Sequence, residues 1–283
     1  MIIDSHCHAW ETWPYQPPVP DPDSRGRIEQ LLFEMDACGV DRAAIVCANI
    51  DHNPANDDYI AEEVRKRPDR FVQIADVDSF WSATYHTPGA AQRMAAAAER
   101  WPLAGFTHYL AAEDDGSWLT SPAGMEFFAV AAERGLIASI FARPYHLAHL
   151  RQVAAACPSM PFLLHHLGFI APDSPDPTTA LDQILRCADV PNLYVKVSGF
   201  YYSAKAKYDY PYLETHWIVR AIYSSFGARR LCWGSDYPVV RPYMTYRQAL
   251  DALRLHCSFI PEADLPPILG DNLHALLEAR RPA

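Results

Sequence analysis

The stretch Ile-Ile-Asp-Ser-His-Cys-His-Ala-Trp, residues 2–10, predicts a short buried strand that ends in His6 and His8. Strict alternation of side chains would place Asp4, His6 and His8 on one face and Ile3, Ser5 and Cys7 on the other. Two imidazoles spaced in this way converge on one point, which suits a divalent metal or a polarised substrate oxygen. A pair of structural histidines would give the same motif, so the rest of the chain has to decide.

Seven more apolar segments follow this strand, and a predicted helix separates each one from the next. They cover residues 42–48, 71–77, 103–109, 136–143, 161–166, 193–198 and 231–236. Eight short strands, each followed by a helix, form the pattern of a single (β/α)8 TIM barrel, finished here by C-terminal helices. The alternative is a doubly wound sheet, which usually has a glycine-rich turn where this chain has His-Cys-His. No linker interrupts the pattern, so we expect one domain over residues 1–283.

The composition argues against several classes of function. The 283 residues are 50% hydrophobic, and their net charge of −10 argues against a nucleic-acid-binding surface. No apolar run approaches a membrane span and no leader-like segment precedes Ile2, so we expect no membrane association. The seven cysteines lack paired spacing, which indicates reduced core residues and a cytoplasmic protein. The expected partner is a small-molecule substrate, and a homo-oligomer is left open.

Polar side chains gather at the predicted carboxyl ends of the strands, where the active sites of (β/α)8 barrels lie. In strand order they are His6 and His8, Asn49, Asp76 and Asp78, His108 and Tyr109, Arg143, His165 and His166, Lys196 and Ser198, and Asp236. Each residue alone has an ordinary structural explanation. A barrel without a function does not need histidines, an arginine and an aspartate around one rim, so the ring predicts an active site.

Four motifs resemble the amidohydrolase superfamily, and more narrowly its amidohydrolase-2 branch. They are Asp-Ser-His-Cys-His at residues 4–8, Leu-Leu-His-His-Leu-Gly at 163–168, Leu-Tyr-Val-Lys-Val-Ser-Gly at 193–199 and Trp-Gly-Ser-Asp-Tyr-Pro at 233–238. That branch includes sugar lactonases, 2-pyrone-4,6-dicarboxylate lactonase, sulfomuconolactone hydrolase and decarboxylases related to aminocarboxymuconate-semialdehyde decarboxylase. The resemblance covers the whole chain. It is specific for the superfamily and says little about the substrate.

Two departures from the family pattern narrow the interpretation. Binuclear members carry a bridging lysine at the end of the fourth strand, where this chain has Thr-His-Tyr at residues 107–109, so we expect at most one metal ion. Mononuclear decarboxylases place a metal-binding histidine before a proline at the end of the fifth strand. Here that residue is Arg143, a permanent cation that cannot coordinate a metal but suits a carboxylate or sulfonate. This departure favours a lactonase over a decarboxylase.

Lactone hydrolysis needs an activated water and a polarised carbonyl. We expect Asp236 to be the general base, while His6, His8 and His166 polarise the carbonyl directly or through one divalent ion, expected to be Zn²⁺. That ion would be held by His6, His8, Asp236 and His166, and a metal-free variant of the same mechanism stays open. Substrate contacts are expected from Arg143, His108, Asn49 and Ser198.

Several alternatives remain open. Alternation lets only one of His165 and His166 face the barrel interior; the family motif matches His166, so His165 is expected to face the helix layer. Lys196 is expected either in the site or as a structural ion-pair partner, and Arg143 has Asp76 or Asp78 as alternative anions. The aromatic side chains Trp81, Tyr85, Trp118, Tyr201 and Tyr202 are expected at a subunit contact or a substrate cover. Nonoxidative decarboxylation or hydration of an aromatic or muconate-type acid, and a silent binding barrel, are the competing functions.

Overall fold

The computed structural model describes residues 1–16 and 18–280, and its centre is a sheet of eight parallel strands. The strands are β1 (Ile3–Cys7), β2 (Arg42–Val46), β3 (Phe71–Asp76), β4 (Leu103–Tyr109), β5 (Ile137–Phe141), β6 (Phe162–Leu164), β7 (Leu193–Val197) and β8 (Leu231–Trp233). Their order in the sheet is their order in the chain, and each strand is hydrogen-bonded to the next. This arrangement confirms the predicted (β/α)8 TIM barrel.

Helices follow every strand and cover the outside of the barrel. They are α1 (Pro22–Arg25), α2 (Ile28–Cys38), α3 (Asn56–Lys66), α4 (Ala90–Arg100), α5 (Pro122–Glu133), α6 (Leu147–Ala156), α7 (Pro177–Leu185), α8 (His216–Phe226), α9 (Tyr246–Arg254) and α10 (Asn272–Glu278). Several begin at side chains that cap free backbone N–H groups: Ser121 accepts from Gly124 before α5, and Asp176 accepts from Thr179 before α7.

Apolar side chains form two clusters, one inside the barrel and one between the sheet and the helices. The inner cluster contains Ile3, Ala44, Val46, Ile74, Ala104, Ile137, Leu163, Cys232 and, from α10, Leu273. The outer cluster joins the alternate strand residues, such as Ala43 and Ile45, to the helices. Because α10 packs against the inner cluster, it covers the amino-terminal end of the barrel. A ligand therefore has to enter at the carboxyl ends of the strands.

The β1 strand is irregular, because its pairing with β2 shifts register between Asp4 and Cys7. Ile3 belongs to the inner cluster and Cys7 to the outer one, although strict alternation would place both on the same face. A bulge between them explains the change of side. The prediction that Asp4 shares a face with His6 was therefore wrong: Asp4 Oδ2 instead accepts a hydrogen bond of 3.0 Å from Tyr246 of α9.

β6 and β8 are among the strands that end earlier than predicted, β6 at Leu164 and β8 at Trp233. Beyond them the chain turns sharply, with His166 at φ 46° and Asp236 at φ 58°. This left-handed backbone region is uncommon for residues that carry a Cβ. Both polar residues thus lie on tight turns above the sheet, where strand alternation no longer decides the direction of a side chain.

The first and last strands meet at the rim, where backbone hydrogen bonds join them. Asp236 N donates to His6 O at 2.7 Å, and His8 N donates to Tyr237 O at 2.6 Å. Gly234 lies at the closest point, since a Cβ there would be 2.8 Å from the Cβ of His6. Only glycine lets the two strands approach this closely, and the approach places the side chains of both strands around one point.

Two expectations concern the chain as a whole. All seven cysteines are free, and six of them are buried, as the sequence predicted. Among the residues that the structure describes, no helix combines the length and the apolar character that crossing a membrane requires.

Candidate active site

The carboxylate of Asp236 lies among three imidazoles at the carboxyl end of the barrel. Its Oδ1 is 3.6 Å from His6 Nε2, 3.5 Å from His8 Nε2 and 3.9 Å from His166 Nε2. All four side chains are buried. The sequence predicted a shared site for these residues, and the structure brings them together.

The rings of His8 and His166 are each fixed through the nitrogen that faces away from Asp236. His8 Nδ1 lies 2.6 Å from the carbonyl oxygen of Val46, and His166 Nδ1 lies 3.0 Å from Ser198 Oγ. The carbonyl oxygen of Val46 can only accept, so a neutral His8 has its lone pair on Nε2, whereas the Ser198 hydroxyl can accept from or donate to His166 Nδ1. Ser198, which was expected to contact substrate, is instead placed to orient His166.

Gly199 makes this placement of His166 possible. Its backbone has a φ of 62°, and a Cβ at this position would lie 2.8 Å from His166 Nδ1. A larger residue would push against the imidazole and adopt a strained backbone. The absence of a side chain at Gly199 therefore leaves the space that the His166 ring occupies.

Burial and hydrogen bonding set the charges of the cluster. Burial lowers the pKa of His6 well below its ordinary value and the pKa of His166 to about 4. Burial alone would raise the pKa of Asp236, but His166, His8 and the phenol of Tyr201 together hold it below its usual value. Near pH 7 the site thus contains the carboxylate of Asp236 and the neutral imidazoles of His6 and His166.

Tyr201 is a site residue that the sequence did not identify. It was expected among exposed aromatics, but it is buried and its hydroxyl donates a hydrogen bond to Asp236 Oδ2. The tyrosine lies in a short turn, Phe200–Tyr202, directly after β7. No feature of the sequence distinguishes it from the surface aromatics, because the contact depends on where the turn after β8 places Asp236.

His165 also faces the barrel interior, contrary to the prediction. Its Nε2 lies 2.7 Å from Ser139 Oγ, and its ring centre is 4.4 Å from that of His6. Leu163 belongs to the inner cluster and Leu164 to the outer one, so alternation along β6 directs His165 inward. The left-handed turn at His166 then brings the second imidazole inward as well. The expectation that His165 faces the helix layer was wrong, since it took His166 as the inward residue of a regular strand.

Lys196 connects His6 to the neighbouring strands. Its Nζ lies 3.1 Å from His6 Nδ1 and donates to Ser139 Oγ at 2.7 Å. The side chain is buried inside the barrel, and this burial lowers its pKa to about 7. Lys196 therefore lies inside the barrel, beneath the cluster. Its two contacts are with His6 and Ser139 and not with a carboxylate.

A cavity of about 440 Å³ opens above the cluster. Its floor includes His8, His166 and Asp236. Its walls are mostly aromatic and include Tyr15, Trp81, Tyr109, Phe141 and Tyr202. The volume and the apolar walls suit a small ring-containing molecule whose reactive group faces the polar floor.

Asn49 lies in the wall of this cavity, but its side chain has a structural partner. Its Nδ2 donates to Asp57 Oδ2 at 2.7 Å, and its backbone N donates to Asp76 Oδ2 at 2.8 Å. Trp81 Nε1 donates to the same Asp76 oxygen at 2.6 Å. Burial raises the pKa of Asp57 to about 7. The structure thus places Asn49 where the sequence predicted, as part of a rigid hydrogen-bonded wall.

His108 lies on the other side of β4 and does not reach the cavity. Alternation along the strand turns Tyr109 toward the cavity and His108 toward α5. His108 Nδ1 lies 3.1 Å from Val77 O, and its Nε2 lies 3.2 Å from His86 Nε2. The expectation that His108 contacts substrate is therefore not supported by its position.

Arg143 lines a second cavity, of about 850 Å³, next to the first. Its guanidinium carbon is 5.9 Å from the ring centre of Phe141 and 5.1 Å from that of Phe169. Phe141 also lines the cavity above Asp236, so one phenylalanine ring belongs to the boundary between the two spaces. Arg143 thus lies beside the predicted site and does not line its floor.

Neither aspartate that the sequence offered as a partner pairs with Arg143. Asp78 forms its ion pair with Arg93, at 2.6 Å, and Asp76 accepts the hydrogen bonds of the Asn49 wall. The Nε of Arg143 is buried and has no hydrogen-bond partner among the described residues. A cation in this state favours an anion nearby.

Two sets of three residues could hold a metal ion, and they share His6. In one set the ligand atoms of His6, His8 and Asp236 lie within 4.8 Å of one another, and in the other those of His6, His165 and His166 do so. His6 Nε2 is buried and has no hydrogen-bond partner in the described part of the chain, which suits a ligand atom. Imidazoles and a carboxylate are the ligands of a catalytic zinc, so the residues fit one divalent ion.

Solved structures with the same fold cover nearly the whole chain. An amidohydrolase from Burkholderia multivorans with bound zinc has a TM-score of 0.76 at 20% identity, covering 98% of this chain and 99% of that one. A probable 2-pyrone-4,6-dicarboxylic acid hydrolase from Acinetobacter baumannii with bound citric acid gives the same values. The 5-carboxyvanillate decarboxylase of Sphingomonas paucimobilis has a TM-score of 0.65 at 16% identity, covering 98% of each chain. At these identities the likeness shows the fold alone.

The sequence itself gives the more specific match. No curated protein matches the chain. Residues 3–278 match the model of the amidohydrolase family Amidohydro_2, which confirms the resemblance carried by the four motifs. Because this match spans almost the entire chain, the protein belongs to the amidohydrolase family.

Proposed function

We propose that the protein hydrolyses the ring ester of a small lactone that carries an anionic group. The observation that supports this most is the carboxylate of Asp236 among three imidazoles, at the floor of a cavity with aromatic walls. A lactone ring fits such a cavity with its carbonyl toward the floor. The floor offers a proton acceptor and groups that can polarise a carbonyl, which are the two requirements of ester hydrolysis.

Asp236 is proposed as the general base. Tyr201 donates to Oδ2, so Oδ1 is the oxygen that is free to take a proton from water. The carboxylate would then return this proton to the leaving ring oxygen, which becomes the new hydroxyl. The lowered pKa of Asp236 keeps the group ionised at neutral pH, so it is ready to accept the proton.

His8 and His166 face the same space. Val46 O can only accept a hydrogen bond from His8 Nδ1, so a neutral His8 presents an acceptor at Nε2 and cannot donate to a substrate carbonyl. A lone pair on His8 Nε2 favours the metal-assisted form of the mechanism over direct donation by this ring. One divalent ion, proposed as Zn²⁺, would supply Lewis-acid polarisation of the carbonyl.

Arg143 is the reason for proposing that the substrate carries an anionic group. Its buried Nε has no partner among the described residues, and its guanidinium carbon lies 5.9 Å from the ring centre of Phe141, which lines the cavity above Asp236. A substrate that extends past Phe141 would bring a carboxylate or sulfonate to the guanidinium. Such a charge-assisted contact would fix the orientation of the lactone carbonyl over Asp236.

Nonoxidative decarboxylation is the alternative, because a decarboxylase shares this fold. The position of Arg143 bears on the choice. By resemblance, the mononuclear decarboxylases have a metal-binding histidine at this point of the fifth strand, whereas here the side chain is a guanidinium that faces the neighbouring cavity. The ligand set of those enzymes is therefore incomplete, which supports hydrolysis.

A panel of lactones and aromatic acids tests the proposal. The purified protein is incubated with carboxylated, sulfonated and neutral lactones and with hydroxybenzoate-type acids, and acid release and CO₂ release are both recorded. Acid release from a lactone that Asp236→Asn abolishes would support the proposal. Release of CO₂ instead would establish the decarboxylase alternative, and neither product with any member of the panel would count against both.

A further inference from the structure

Three imidazoles meet inside the barrel just below the floor of the cavity. The ring centres of His165 and His166 lie 4.4 Å and 4.5 Å from that of His6. One ring nitrogen from each of the three lies within 4.8 Å of the other two. The set includes His165, which has no part in the proposed proton transfers.

Each of these rings has a partner at its outward nitrogen. Ser139 Oγ lies 2.7 Å from His165 Nε2, Ser198 Oγ lies 3.0 Å from His166 Nδ1, and Lys196 Nζ lies 3.1 Å from His6 Nδ1. Ser139 and Ser198 can accept the outward N–H of His165 and His166, which fixes each ring and directs the lone pair of its other nitrogen toward an ion. Lys196 fixes the ring of His6, and an ion can bind His6 Nε2 only if this hydrogen-bonded pair releases one proton, because a metal ligand has to be deprotonated.

The inward nitrogens are left without hydrogen-bond partners. His6 Nε2 and His165 Nδ1 are both buried and unpartnered among the described residues. Buried polar atoms in proteins nearly always have a partner. Two such atoms in adjacent imidazoles, with each ring fixed at its other nitrogen, are explained together if both atoms bind the same cation.

We propose that His6, His165 and His166 form a three-histidine site for one divalent cation of the zinc type, with His165 as a ligand. Three imidazoles with an open fourth position are an established ligand set for catalytic zinc. His165 would supply the third imidazole that Arg143, at the end of the preceding strand, cannot. Asp236 Oδ1, 3.6 Å from His6 Nε2, would then remain free as a proton acceptor.

Zinc affinity of single variants tests this assignment without any substrate. His165→Gln is the key variant, because the glutamine amide can keep the hydrogen bond to Ser139 while the inward nitrogen is lost. We expect this change to weaken Zn²⁺ binding by about 100-fold or more, measured by competition with a chromophoric chelator, and Asp236→Asn to weaken it less than about tenfold. Ser139→Ala should lower the affinity for Zn²⁺ by about 10–100-fold, the usual effect of removing a partner of a metal-binding histidine.

His108→Gln is the matched control, since His108 is an equally buried histidine on the outer side of β4. Thermal unfolding of each variant checks that it is folded, and the absorption bands of bound Co²⁺ report the ligand geometry independently of affinity. Wild-type affinity in a folded His165→Gln, with large losses in Asp236→Asn and His8→Gln, would overturn the assignment and place the ion at His6, His8 and Asp236. Failure of the wild type to bind Zn²⁺ or Co²⁺ would overturn it too, whereas the lactone proposal would still stand if chelators leave hydrolysis unchanged.

Discussion

Tyr201→Phe should move the acid limb of the pH–rate profile to higher pH. The phenol donates to Asp236 Oδ2 in a buried setting, where a hydrogen bond to a charged group contributes about 1.5–3 kcal/mol. Because the bond stabilises the carboxylate, its loss disfavours ionisation. With about 1.4 kcal/mol for each pKa unit, the pKa of Asp236 should rise by about one to two units.

The sign of the effect follows from the role of Asp236. Only the carboxylate accepts a proton, so activity is lost as the pH falls through the pKa of this group, and a higher pKa means that the loss begins at higher pH. The assay is kcat/KM for the lactone that gives turnover, measured from about pH 2.5 to 9 in buffers of constant ionic strength, so that the acid limb of the wild type is included. Well above the pKa, the variant should retain most of the wild-type rate.

Tyr109→Phe is the matched control. It removes a phenol from the wall of the same cavity, but no hydrogen bond links this hydroxyl to Asp236 among the described residues. Its acid limb should coincide with that of the wild type, whatever happens to KM. If the acid limb of Tyr201→Phe also stays in place, Tyr201 does not control the ionisation of Asp236 and the reasoning fails.

Four further predictions test the site and the fold. Asp236→Asn should reduce kcat by at least the roughly 100-fold typical of general bases, with substrate binding kept, and a variant that retains more than about a tenth of the wild-type turnover would contradict the assignment. Arg143→Met should raise KM for an anionic lactone by about 10–100-fold and change a neutral lactone much less; equal effects on both would mean that Arg143 stabilises the barrel instead. Elemental analysis should find at most one divalent ion per chain, and two at full occupancy would refute the mononuclear site. Gly234→Ala should lower the free energy of unfolding by about 1–3 kcal/mol in urea titrations, because its Cβ would clash with His6, whereas Gly26→Ala, with its nearest contact at 3.4 Å, should change it little.

The fold was predictable because buried parallel strands are short apolar runs that stand out against amphipathic helices. The order of these strands also predicted that His6, His8, His166 and Asp236 lie at one end of the barrel, because parallel strands all end on the same side. His108 lies in the outer layer with Phe106, although Ala104 of the same strand belongs to the inner cluster. The pairing of β3 with β4 shifts register at this point, so strict alternation along β4 would have placed His108 on the wrong side.

Other features depend on backbone irregularities that the apolar pattern does not encode. The bulge in β1 turns Asp4 away from His6, and the left-handed turn at His166 brings this imidazole into the barrel beside His165. Tyr201 contacts Asp236 across two turns that are remote in sequence. Each of these positions depends on where the chain departs from regular strand geometry, which residue types alone do not specify.

The contact between β1 and the chain that follows β8 also affects the order in which the protein folds. Ser235 N donates to Asp4 Oδ1 at a sequence separation of 231 residues, and Asp236 and His6 are hydrogen-bonded at the same place. Contacts of such high sequence separation form late, after the local βα units. A chain still emerging from the ribosome has His6 and His8 long before Asp236, so its active site cannot exist until the last strand has been synthesised and docked.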